Sequence, residues 1–138
     1  MSINIADISA KLRAYLLTKA EVTDLVGQRI FTPSFPVNTV DSIDNEANPK
    51  IQFKQTGGSP KGTANYRYQF IVRADTAIVA RQIAVIVVNQ IIEENFSLSD
   101  DDGKNLTYWA ELEGSLVDNP DENTSKPEVF FSINFNNL

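Results

Sequence analysis

The stretch TAIVARQIAVIVVNQIIEE, Thr76 to about Glu94, constrains this chain more than any other. Asp75 and Thr76 each offer a cap for its start, and Glu93 and Glu94 give a helix there an unusually acidic end. At about 100° per residue, Val79, Ile83, Ile86, Val87 and Ile91 share one stripe. Ile78, Val85, Val88 and Ile92 form a second. Only a narrow polar arc remains, holding Gln82, Asn89 and Glu93 with Arg81 beside it. A surface helix buries about a third of its circumference; this one asks for cover on most sides. Either it is sandwiched inside its own domain between a sheet and another helix, or one face lies on its own sheet and one on a neighbouring copy.

With 138 residues the chain suffices for a single domain, residues 1–138, with a real core. Arg81, Gln82, Asn89 and Gln90 inside the apolar helix argue against a membrane span, so no membrane partner is expected. The opening MSINIADISAKLRAYLL lacks a basic leader region and spaces its apolar residues, unlike a signal peptide. The chain has neither Cys nor His, which removes disulfides, thiol nucleophiles, histidine bases and the usual zinc ligands. Any catalysis would rest on carboxylates, lysine or hydroxyls, and no cofactor is expected. The net charge of −6 is unevenly divided: residues 1–92 hold ten Lys/Arg against seven Asp/Glu, net +3, and residues 93–138 hold two against eleven, net −9. An acidic loop region that keeps the protein soluble explains this, as does self-complementarity between copies.

Along the chain, Ile5, Ile8, Leu12, Tyr15 and Leu16 recur at helical spacing, with Asn4 as the cap and Lys11, Arg13 and Lys19 outside. A shorter turn, Ala20 to Val26, places Val22, Leu25 and Val26 inward and stops at Gly27. Arg29 to Phe31 is a short extended piece, followed by a long proline-bracketed loop over residues 33–49. Lys50 to Thr56 alternates, with Ile51, Phe53 and Gln55 on one face and Lys50, Gln52 and Lys54 on the other. The glycine-rich run Gly57 to Gly62 breaks it, and alternation resumes from Asn65 to Asp75, with Tyr66, Tyr68, Phe70 and Val72 opposite Arg67, Gln69, Ile71 and Arg73. Strands are expected again at Phe96–Leu98, Leu106–Gly114 and Glu128–Phe135, with residues 115–127 as loop. The pattern predicts an α+β fold: a mostly antiparallel, four- to five-stranded sheet packed against an N-terminal helix and one long central helix, with a projecting hairpin.

Several motifs resemble sites without satisfying them. Gly57 to Thr63 lacks the lysine and the following helix of a phosphate loop, and reads as a hairpin tip. Asp100-Asp101-Asp102-Gly103 puts Leu98 where a calcium loop needs its first carboxylate, so an acidic turn is the better account. Glu111 and Glu113, beside Trp109, have the i, i+2 spacing of a glycosidase pair, about 6–7 Å, and suit a small carbohydrate-binding or hydrolytic domain, but the sequence shows no cleft and solvent-facing strand residues are the better account. Lys50, Lys54, Lys61, Arg67 and Arg73 cluster on the hairpin near Tyr66, Tyr68 and Phe70, as on a nucleic-acid surface, yet the aromatics alternate away from the arginines as core residues would.

The stretch KLRAYLLTKAEVTDLVGQRIFTPSFP resembles the opening of the tail-terminator (tail-completion, minor tail) proteins of long-tailed bacteriophages. The features that carry the likeness are Leu12, Leu16 and Leu17, then Val22, Thr23, Leu25, Val26, Gly27, Arg29 and Ile30, then Pro33 and Pro36. Pro49-Lys50-Ile51, the run Arg67 to Val72, a helix bearing Ala77, Ala80 and Ala84, and a final extended strand follow in the expected order. The resemblance implies a non-enzymatic virion protein, assembled in the host cytoplasm, that forms a ring of commonly six copies at the head-proximal end of the tail tube. Such a ring ends tube growth, meets the tube protein and the head–tail connector or stopper, and lets DNA pass only as cargo. A head-completion or neck protein is the alternative in the same setting. On this reading Ile78, Val85, Val88 and Ile92, with Arg67 and Arg73, are candidates for the subunit interface. Phe35, Val37, Val40, Gly57, Gly58 and Lys61 are candidates for docking on tube or connector. Residues 33–49 and 115–127 are longer and more acidic than the resemblance leads one to expect.

Overall fold

The computed structural model describes residues 5–33, 35, 49–58, 66–92, 97–99, 105–118 and 127–137. Helices α1 (Ile5–Leu17) and α2 (Ala20–Val26) lead into strand β1 (Ile30–Phe31). Strands β2 (Lys50–Gly58) and β3 (Tyr66–Arg73) precede the long helix α3 (Ala77–Ile92). Strands β4 (Ser97–Ser99), β5 (Asn105–Asp118) and β6 (Glu128–Asn137) complete the fold. The six strands form one sheet in the order β1-β2-β3-β6-β5-β4. Only the β1–β2 pair is parallel; the rest are antiparallel. The helices pack on the sheet as the α+β pattern predicts, with α3 over β5, β6 and β3.

Alternation decides which sheet face meets the helices. Ile51 and Phe53 of β2, Tyr68, Phe70 and Val72 of β3, and Val129, Phe131, Ile133 and Phe135 of β6 are all buried. Register aligns Phe53, Phe70 and Phe131 in one row across three strands. Their rings stack, with centroids 5.0 Å apart in each pair, so the largest apolar groups support one another directly. Tyr68 is fully buried and its hydroxyl shares a 3.2 Å hydrogen bond with Ser9 of α1.

Helix α3 starts where a side chain first satisfies its free backbone donors: Thr76 Oγ1 accepts a hydrogen bond from the Val79 amide at 3.2 Å, which makes Thr76 the cap. Ala80, Ile83, Ala84, Val87 and Ile91 form its buried stripe. The two alanines let the helix axis approach the sheet.

Local readings need correction at several points. Leu25 faces outward, because the seven-residue α2 buries only Val22 and Val26. Arg13 does not stand in solvent: its Nε donates to the Ile30 carbonyl at 2.6 Å and ties α1 to β1. Lys50 is buried, in a row with Arg73 and Glu128. β2 runs on through Gly57 and Gly58 by means of a bulge after Gln55. β5 likewise continues past Gly114 to Asp118, so Ser115–Asp118 is strand rather than loop. Gly114, at φ +76°, sits within the register shift between Glu113 and Val117.

Candidate assembly surface

Helix α3 has three kinds of neighbour around its axis. The buried stripe meets the sheet. One flank meets the other helices: Tyr15 Oη of α1 donates to the Gln90 carbonyl at 2.6 Å, and Gln90 Nε2 donates to Glu21 of α2 at 3.0 Å. The opposite flank carries the second apolar stripe. Ile78 is 71% exposed and Val85 42% exposed, whereas Val88 and Ile92 are half-buried against the protein's own core. The stripe is therefore split between inward packing and an open surface.

That open flank stands over β5, the outermost long strand on its side of the sheet. β4 covers β5 only at Asn105–Thr107. Among the described residues, the outer edge of β5 from Tyr108 to Asp118 pairs with no strand. At the other side of the sheet, β1 covers β2 only at Ile51 and Gln52. The outer edge of β2 from Phe53 to Gly58 is likewise unpaired among the described residues. Such edges present free N–H and C=O groups to any strand that can reach them.

No described helix packs on the second face of the sheet. Register lays its residues out in rows. One row holds Phe31, Gln52, Ile71, Phe130 and Val117, and is mostly apolar. The next holds Lys54, Gln69, Ser132 and Glu113, so its two ends carry opposite charges on opposite strands. Arg67 crosses this face to reach Glu113 at 3.4 Å and also donates to Thr56 Oγ1 at 3.3 Å. Both members of the Arg67–Glu113 pair are largely exposed, which makes it a weak tie. Arg73 holds Glu128 at 2.9 Å in a more enclosed setting. Both arginines singled out for the interface thus have partners within the chain. Lys54 and Glu111, at opposite sides of the face, are exposed and have no partner among the described residues.

Of the candidate docking residues, Val37, Val40 and Lys61 lie outside the described residues, as does the Asp100–Gly103 turn. Gly57 and Gly58 end β2, at and after its bulge. Phe35 lies with its ring parallel to that of Phe31, centroids 6.3 Å apart, and the Arg13 guanidinium sits 3.6 Å above it. Loss of hydration there lowers the Arg13 pKa from its ordinary value. Beside this cluster a groove of about 330 Å³ opens between Phe31, Phe53, Lys54 and Ile71. Glu111 and Glu113 stand on the open sheet face rather than in a cleft, and the Trp109 side chain lies outside the description.

Sequence reasoning found the exposed α3 residues and missed the open strand edges and the apolar row. A signal for the row existed: Ile71 and Phe130 are large apolar residues on faces otherwise read as polar.

Neither a protein-family profile nor a curated protein matches this sequence. In three dimensions it is similar to a chain of the virion of a native gene transfer agent (GTA) particle. The TM-score is 0.64, with 99% of this chain and 98% of that chain covered at 16% identity. At that identity the likeness is one of fold, and it extends from end to end.

Proposed function

We propose that this chain is a structural, non-enzymatic component of a phage-like virion, and that it works as a ring of identical copies at the head-proximal end of a tail tube. The end-to-end likeness in fold to a GTA virion chain carries this reading. The resemblance of Lys11–Pro36 to tail terminators supplies the finer assignment: six copies, a stop to tube growth, and a surface on which the head connector docks. Opposite charge on the two parts of the chain and an apolar α3 flank left open suit such a ring, because closed rings need different patches of one subunit to meet. The tube protein and the connector or stopper are its partners, and DNA crosses the lumen as cargo.

Native mass spectrometry and negative-stain imaging of the purified protein test the ring. Mixing it with isolated tail tubes and with DNA-filled heads tests its place. Rings that bind one end of the tubes are expected. Binding to filled heads alone would make it a neck protein, and a compact monomer at high concentration would remove the ring altogether.

A further inference from the structure

Two strand edges of one sheet are unpaired among the described residues, which raises the question of what they pair with. β2–β3, β3–β6 and β6–β5 are each antiparallel, so β5 runs opposite to β2. A copy shifted sideways therefore brings its β2 antiparallel to the first copy's β5, with no turn or inversion of the chain. We propose that copies of this protein join side to side by strand addition, the β5 edge beyond Tyr108 of one copy pairing with the β2 edge Phe53–Gly58 of the next.

Three observations favour a second copy as the occupant. Side-chain parity is one: pairing that sets Lys54 opposite Glu111 or Glu113 keeps all three on the bare sheet face. It also sets Phe53 among Ala110 and Leu112 on the helix-side face. A one-residue slip would put charge against the core, so few registers are allowed. Charge is the second. Lys54 flanks one edge and Glu111 and Glu113 flank the other, in line with the net +3 of residues 1–92 and the net −9 of residues 93–138. The α3 flank is the third. Ile78 and Val85 are exposed on the side of the domain where β5 lies open, so one neighbour would extend the sheet and cover the helix together.

This junction rests on the ring reading, and the test separates the two. Lys54→Glu alone and the double variant Glu111→Lys/Glu113→Lys alone each set like charges against each other at every junction. Each should need roughly tenfold more protein to assemble than the natural chain. Mixed in equal amounts they should form alternating rings, because every junction then joins opposite charges. Circular dichroism and melting of each variant establish that it is folded. Amide hydrogen exchange should slow at Phe53–Gly58 and Tyr108–Glu113 on assembly of the natural protein. Rings that ignore both substitutions, or folded variants whose mixture fails to assemble, overturn the strand-addition junction while leaving the ring itself standing. A natural chain that never assembles overturns both.

Discussion

Single side chains set the limits of this fold where the backbone would otherwise have no reason to stop or continue. Thr76 ends the approach to α3 by accepting the Val79 amide. Thr76→Ala should cost about 1 kcal/mol, read as a lower denaturant midpoint with an unchanged slope, and Thr76→Asp should recover most of it. Gly114 takes a positive φ within the β5 bulge, and nothing lies near the Cβ it lacks. Gly114→Val therefore adds backbone strain without a clash, and should destabilise by about 1–2 kcal/mol. If the melting temperature does not move, the bulge has relaxed. Arg13 binds two carbonyls, those of Ile30 and Gln28, and covers the Phe35 ring. It fixes the point at which the chain leaves β1.

At the scale of elements, helix α3 was legible in outline and deceptive in detail. Its start follows from the caps Asp75 and Thr76, and its two apolar stripes from spacing, whereas Glu93 and Glu94, at its expected end, lie outside the described residues. The helix nevertheless sits on Ala80 and Ala84, which hydropathy hardly weights, because small residues allow the closest approach to the sheet. Ala84→Leu should drive the helix off the sheet and cost about 1–3 kcal/mol. Half of the second stripe turned inward as well: Val88 and Ile92 pack on the core, and only Ile78 and Val85 stay open. Val85→Asp is accordingly the clean probe of self-association. It should lower ring yield in native mass spectrometry while leaving the melting temperature nearly unchanged, an outcome that a purely internal role for Val85 would reverse. The strands were readable wherever both faces differ in polarity. Gly57, Gly58 and Gly114 concealed continuations, because a glycine that ends a strand and one that bulges it look alike in sequence. Alternation put Lys50 on the face opposite Ile51 and Phe53, but it assigns a face and says nothing about what covers it, and Lys50 is buried there.

For the whole molecule, the decisive facts are which layers are covered and which are not. One face of the sheet bears every described helix, and the other bears the rows led by Phe31 and Lys54. Sequence could not reveal this, because the sheet order β1-β2-β3-β6-β5-β4 is a long-range property. If opposite charges join copies at the edges, the assembly should weaken as salt rises from about 0.05 to 0.5 M, measured by light scattering. An assembly held by apolar contact alone would tighten instead.

The placing of β6 has its own consequence. β6, which follows the other described strands in sequence, is inserted between β3 and β5, in the middle of the finished sheet. Before it docks, Tyr68 and Phe70 lack their partners Phe135 and Phe131, and among the described residues β5 has only the three residues of β4 beside it. A chain whose β6 has yet to dock has therefore closed only the β1-β2-β3 part of its sheet, and the two parts of the sheet meet through that one long-range insertion.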